Sequence, residues 1–473
     1  MRAIEALLAS YLDLARHLDP LRYPEEAPPE IAHRVGRFDA GSLRSHVTAL
    51  RSIANALEDL EDVEALDDEV DRTMLIDTIR TDSARIEASL TRDASNPALP
   101  LRHMSDALFA LMGEDFDAES DAALRERVAA FPGFLASLRE DPRPAPPLLL
   151  YAARLEANLF DESTLDMAAE RLDDIAVQPA LVAIAEHRHW LEDATREGGS
   201  YSLGLEAVEA QMATLASEPL GARGTLRLLE LRRVGVERSL ASAAEELGGG
   251  DPIALARQLQ EESQPAPDMF MDYWTDEWRR VGDELGRLGL PVVDGDADDP
   301  PAVAEDGWSM AAYAVREHAA RMLEEIKSGN PRATRRLLEA PGLYEGWGRT
   351  VAALLRSTDV FGQPERRLMM SFLALRDSVA AEVDLQLHAG MISIDDAMAK
   401  LQQTAGLSEP DAYALMCDIT TDPLSFLGAA VAHEGWQAWY ADAASEPVPF
   451  LLKAMLGGGL AVPVARWALE GAE

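Results

Sequence analysis

Apolar residues recur at the spacing of one helix face along nearly the whole chain, and this constrains the fold more than any other feature. Ile4, Leu7, Leu8, Tyr11, Leu14, Ala15 and Leu18 share one side before Asp19-Pro20 stops the run. Gly41-Ser42 opens a second helix carrying Leu43, Val47, Leu50, Ile53, Leu57 and Leu60, and a third places Val70, Met74, Ile79, Ile86 and Leu90 before Asn96-Pro97. Two shorter helices, broken at Phe131-Pro132-Gly133, are expected over 99 to 140. Further helices are expected over 148 to 160, 163 to 198, 203 to 217 and 221 to 248, the second opened by Ser163-Thr164. Asp251-Pro252, Ser393 to Asp396, Ser408 to Asp411 and Asp422-Pro423 all read as helix starts. The segment 365 to 389 turns Leu368, Phe372, Leu375, Val379 and Val383 inward. The expected class is all-α, a large body of antiparallel helices with little or no β-sheet.

Composition agrees. Ala, Leu, Arg and Glu dominate, 47 % of the 473 residues are hydrophobic, and runs of Val, Ile or Thr are few. Two cluster breaks suggest an organisation into a 1–146 helical subdomain, a 147–290 middle region, a 291–306 acidic linker and a 307–473 C-terminal region, merging into one continuous body. The formal net charge is -40, and Lys327, Lys400 and Lys453 are the only lysines. Such acidity repels phosphate backbones and anionic lipid, which argues against nucleic-acid and membrane partners. No segment has the length of apolar chain that a spanning helix needs, and the N-terminus lacks a secretory pattern, so a soluble, cytoplasmic protein is expected.

Few residues have the spacing that chemistry needs. Cys417 is the single cysteine, which rules out an internal disulfide and reads as a small core residue. The Asp-rich run after Val293 lacks the final Glu of an EF-hand and reads as a solvated loop. His433-Glu434-Gly435-Trp436 opens like a zincin motif, but Gln437 stands where the second histidine belongs. His187 and His189 are two apart on a helix and face different ways. Trp308, Trp347, Trp436 and Trp439 read as core or as the lining of a cleft. Asp384 and His388 lie four apart on a face shared with Asp377. They read either as an orienting pair or, with Glu345, as acid-base groups of a polar pocket. Glu345 has Arg349 one turn on as an alternative partner.

The run Tyr344-Glu345-Gly346-Trp347 resembles a stretch of the domain-of-unknown-function 885 family, a large bacterial group similar in fold to helical zinc carboxypeptidases. The resemblance continues through Asp384-Leu-Gln-Leu-His388-Ala-Gly390, Ile394-Asp-Asp-Ala397, Gly406-Leu-Ser-Glu409 and the closing Met455 to Pro463. Asn96-Pro97, Phe131-Pro132 and Leu203-Gly204-Leu205-Glu206 fall in the family's order, so it spans nearly the whole chain. It implies a metal motif of His-Glu, three residues, then Gly-His-His, with the Glu of Glu-Gly-Trp as a further ligand. In the corresponding window, Ala311 to His318, Ala311 and Ala312 stand where the first histidine and the base belong. Only His318 and Glu345 remain as vestigial metal candidates. The small sheet beside the motif is too long for the gap here, and Ala429, Ala430 and Ala432 occupy the region of the family's tyrosine and arginine.

A peptidase that has lost a ligand, its base and its anion-binding residues keeps little of its rate. The resemblance and its departures therefore imply a metal-free, non-hydrolytic relative that holds a small molecule or peptide in a central cleft. No cofactor is expected, and bound zinc is the observation that would count against this. Two other readings are a metal-independent acid-base enzyme using Glu345, Asp384 and His388, and an active metal-dependent hydrolase with altered ligands, His318, Glu345 and His388.

Overall fold

Ala, Leu, Arg and Glu lose little side-chain freedom in a helix, and the computed structural model is all-α. It describes residues 2–18, 35–60, 63, 65–112, 118–141, 143–193, 196–215, 220–292, 306–443 and 445–471. Among them there is no strand, and one isolated bridge joins Ala145 to Glu197. The chain forms two compact units, each discontinuous in sequence. The first is Met1–Asp62, Leu75–Ala207 and Met416–Asp422; the second is Val63–Met74, Val208–Leu415 and Pro423–Glu473.

In the first unit the Arg2–Leu18 helix buries Ile4, Leu8, Tyr11 and Ala15, the stripe its spacing dictates. Tyr11 is satisfied by donating its hydroxyl to Asp82 at 2.7 Å. Asp39, rather than Gly41 or Ser42, caps the Ala40–Glu58 helix by accepting from Ser42 N at 2.9 Å. The expected break at Phe131-Pro132 does not occur, and one helix runs from Ala118 to Arg139 through the proline. Pro132 removes one backbone donor. Its neighbours Phe131, Phe134 and Leu135 are buried, and Phe131 stacks on Phe160 with centroids 4.2 Å apart, so tertiary packing overrides the local penalty.

Ser163 and Thr164 open no helix. They lie in a π-helical turn, Phe160–Leu165, where Thr164 is fully buried with its hydroxyl 3.1 Å from that of Ser105. The next helices are Asp166–Arg171 and Asp174–Leu191, the latter capped by Asp173. The proline-rich stretch near 146, expected to mark a boundary, lies inside the first unit. Arg143 holds it there by donating to the carbonyls of Ser89 at 2.6 Å and Arg92 at 3.2 Å.

The second unit is built around the Pro364–His388 helix. Residues on every side of it are buried, among them Leu368, Met369, Phe372, Leu375, Val379 and Val383. A helix buried on every side belongs inside a helical body, and here Gly221–Glu246 and Ser425–Ala443 both pack on it. Glu382, fully buried on this helix, is paired with Arg233 at 2.8 Å and Lys400 at 2.6 Å. Caps follow the sequence at Asp251, which accepts from Ile253 N and Ala254 N, and at Ser393, which forms a capping box with Asp396. Ser309 does not cap with its own side chain; the Met310–Ser328 helix is started by Asp306, which accepts from Trp308 N at 3.0 Å and Ser309 N at 2.8 Å. Of the expected acidic linker, residues 293–305 lie outside the described residues.

The Leu343–Leu354 helix crosses Ser425–Ala443 at Gly346. A Cβ there would lie 2.6 Å from Ala432 Cβ and 2.7 Å from the Ala429 carbonyl oxygen. The small residues at 346, 429 and 432 therefore set the approach of these helices. Trp347, Trp436 and Trp439 fill the space beside the crossing, with centroid separations of 5.0 and 5.5 Å, and all three are core.

Candidate functional site

The residues singled out by sequence lie in three different environments. His318 is 1 % exposed and stacks on Trp278 at 3.6 Å between centroids, with Nε2 3.1 Å from the Trp278 carbonyl oxygen. Gly282 makes room for it, since a Cβ at that position would stand 3.3 Å from His318 Cε1. Burial lowers the imidazole pKa, so the ring is a neutral core histidine that donates to a carbonyl. Glu345 is exposed.

Asp384 and His388 are both 0 % exposed. Asp384 accepts from Leu424 N at 2.9 Å, Leu427 N at 3.0 Å and His388 Nδ1 at 2.8 Å. The carboxylate thus starts the Ser425–Ala443 helix, whose preceding residue Leu424 has φ 68°. An exposed Glu345 and a sealed Asp384–His388 pair do not form one polar pocket. Among the described residues, no three His, Cys, Asp or Glu side chains converge as a metal would require.

A different set of residues does converge. A cavity of about 460 Å³ opens between the Gly221–Glu246, Met310–Ser328, Leu343–Leu354, Pro364–His388 and Ser425–Ala443 helices. Its walls carry Arg232, Arg316, Arg349 and Arg356, with Asp377 and Glu434 as the carboxylates. Four guanidinium groups against two carboxylates leave two excess positive charges, in a chain whose net charge is -40. Leu229, Val236 and Met370 supply an apolar wall, and Ala352, Ala374 and Ala430 leave the volume open.

The charges are held in place by one another. Arg316 donates to Asp377 Oδ2 at 2.7 Å, and Arg349 Nε lies 3.4 Å from the same oxygen. Burial pushes the Asp377 carboxyl up, but Arg316, Arg349 and Arg376 more than offset this and hold it below its ordinary value. Burial lowers the Arg349 pKa, against the opposing pull of Asp377. Arg232 pairs with Glu434 at 2.6 Å, and Arg356 donates to the Ser239 carbonyl at 2.9 Å. Glu434 is nonetheless raised, burial being the larger effect.

His433 lies on the same wall. Burial, then the nearby Arg349 and Arg316, bring its pKa down to about 3, so the ring is neutral at physiological pH. Its Nδ1 is 2.9 Å from Thr350 Oγ1, and Thr350 donates its hydroxyl hydrogen to the Gly346 carbonyl at 2.8 Å. A hydroxyl has one hydrogen to give, and with that of Thr350 given to Gly346 the donor in the other pair is Nδ1. The other nitrogen, Nε2, is left with a lone pair.

These residues lie next to the sequence-derived candidates. Arg316 lies in the Ala311 to His318 window, two positions before His318 and so on the opposite side of the helix. Asp377 was placed on a face with Asp384, yet only Asp377 reaches the cavity. His433 stands in an incomplete zinc motif, with Gln437 four residues on. A usable signal is the recurrence of arginine at 232, 316, 349 and 356 in an acidic chain.

No protein-family model matches the chain, and no curated protein matches it. Two solved structures share its fold end to end. One, described as a putative lipoprotein of unknown function from Shewanella oneidensis, superposes with a TM-score of 0.74 at 14 % identity, over 99 % of this chain and 98 % of that one. The other, described as a putative lipoprotein from Colwellia psychrerythraea, gives 0.76 at 11 % identity, over 99 % of both chains. At these identities the likeness is one of fold. It lends no support to the cytoplasmic expectation.

Proposed function

We propose that the chain is a non-hydrolytic relative of the helical zinc carboxypeptidases it resembles in sequence, and that it binds a small oxyanion, a carboxylate or phosphate, in the arginine-lined cavity. The observation that carries this reading is the excess of two positive charges in a partly buried cavity of a strongly acidic protein. Concentrating cations there is costly unless an anion completes the set, because like charges in a low-dielectric site repel. The volume falls within the range of small-molecule sites, and the mixed apolar and arginine lining suits an anionic head on a short carbon body. Ala311 and Ala312 stand where the resemblance implies the first histidine and the base.

Titration calorimetry of the full chain with inorganic phosphate and with propionate tests the proposal. We expect saturable binding of at least one, weakened about tenfold or more in Arg349→Gln, since a charged hydrogen bond contributes roughly 1.5–3 kcal/mol. Zinc retained at full occupancy, with peptide turnover that a chelator abolishes, would overturn it.

A further inference from the structure

The arginines explain attraction of an anion but not a choice among anions, and the choice falls to His433. On the cavity wall the guanidiniums only donate and the carboxylates are already bound to them, Asp377 to Arg316 and Arg349 and Glu434 to Arg232, while the Ser239, Ser371 and Ser378 hydroxyls and the Gln437 amide both donate and accept and can each turn a hydrogen toward an anion. His433 differs. Its Nδ1–H is committed to Thr350, whose own hydrogen is committed to Gly346, so this chain of bonds fixes the ring with an acceptor nitrogen on its other edge. The order of donors starts from a helix carbonyl and runs through Thr350, which is 0 % exposed.

An acceptor set among arginines imposes a rule on the ligand. An oxyanion with no hydrogen would place an oxygen lone pair against the Nε2 lone pair. One that carries its own O–H or N–H beside the anionic oxygens would instead donate to it. We propose that His433 makes the cavity selective for oxyanions bearing a hydrogen-bond donor next to the charge, such as a protonated phosphate or a 2-hydroxycarboxylate, over donor-free anions of the same shape. This rests on the oxyanion-site reading above and names the ligand class within it. The groups facing His433 from the surrounding helices are Arg316, Arg349, Arg232 and Asp377, with Glu434 beside it on its own helix, and the excess of arginine among them disfavours the alternative in which the ring protonates and becomes a donor.

The test compares matched pairs by calorimetry at fixed ionic strength and neutral pH: inorganic phosphate against sulfate, and lactate against propionate. The first pair reads the phosphate source and the second the carboxylate source. We expect the donor-bearing member of whichever pair binds to be favoured about tenfold or more, of the order of one hydrogen bond gained against one lone-pair clash. His433→Leu should bring the ratio to within about twofold of unity while sulfate or propionate binding persists. Because a change at His433 alters packing, Thr350→Val supplies the second variant. It keeps the ring and removes the acceptor that fixes Nδ1–H, and the ratio should fall there too. Equal binding within both pairs by the unaltered protein, lost in Arg349→Gln, would overturn the selectivity while leaving the oxyanion site standing. Binding of none of the four would overturn the site itself.

Discussion

Asp384 shows how one side chain changes meaning between sequence and structure. Four residues before His388 it reads as half of an acid-base couple, and the two do meet at 2.8 Å. That much was legible, because an i,i+4 pair on a helix is a local relation. What was not legible is that the carboxylate also receives the amides of Leu424 and Leu427, some forty residues away, and is sealed from solvent. A buried carboxylate with three donors stabilises the fold only while all three are present. Asp384→Ala leaves two backbone donors buried and unpaired, and we expect a loss of about 3 kcal/mol, read from the urea midpoint. Unchanged stability together with a lost activity would return Asp384 to a chemical role. His433 and Arg316 illustrate the converse. Neither has a telling neighbour in sequence, and both matter through residues on other helices.

At the scale of elements, periodicity specified the existence and inward face of most helices, as in Pro364–His388, whose expected residues Leu368, Phe372, Leu375, Val379 and Val383 are all buried. Breaks are less legible in sequence. Pro132 reads as a stop, and Ser163-Thr164 as a start, because both rules describe an isolated helix. Stacking of Phe131 on Phe160 and burial of Thr164 decide the outcome instead. The Glu-Gly-Trp stretch has a plainer reason than metal binding at its centre. Gly346 lets two helices approach until a methyl group would stand 2.6 Å from Ala432 Cβ. Both sides of that contact are helix, with backbone among the nearest atoms, so little can move aside. Gly346→Ala should therefore destabilise by about 1–3 kcal/mol despite the better helix propensity of alanine, a gain of only about 1 kcal/mol. A chevron or calorimetric measurement showing net stabilisation would mean that the crossing is looser than its geometry states.

For the molecule as a whole, two effects of opposite sign meet on the acid side of neutrality. The formal charge of -40 makes the folded chain repel itself, and lowering the pH toward the isoelectric point near 4.5 relieves that repulsion. Against it stand buried neutral histidines. His187, fully buried, is brought by burial and then by Arg139 down to about 4, and His433 down to about 3, from an ordinary value of 6.5. Each takes up a proton more readily when unfolded, so its contribution is complete above pH 6.5 and is lost as the pH falls toward the folded value. The slope is about 1.4 kcal/mol per pH unit per histidine, so the pair removes roughly 5 kcal/mol between pH 6.5 and 4.5. Asp377, held below its ordinary 3.8 by arginines, adds its own loss only at still lower pH. Salt separates the two effects, because surface repulsion is screened at an ionic strength near 0.5 M and the burial of an imidazole is not. We expect denaturant midpoints in high salt to fall steadily from pH 6.5 to 4.5, and His433→Leu to flatten that fall by about half. If instead the fall disappears in high salt, solvent-exposed charges govern the acid response and the two histidines do not.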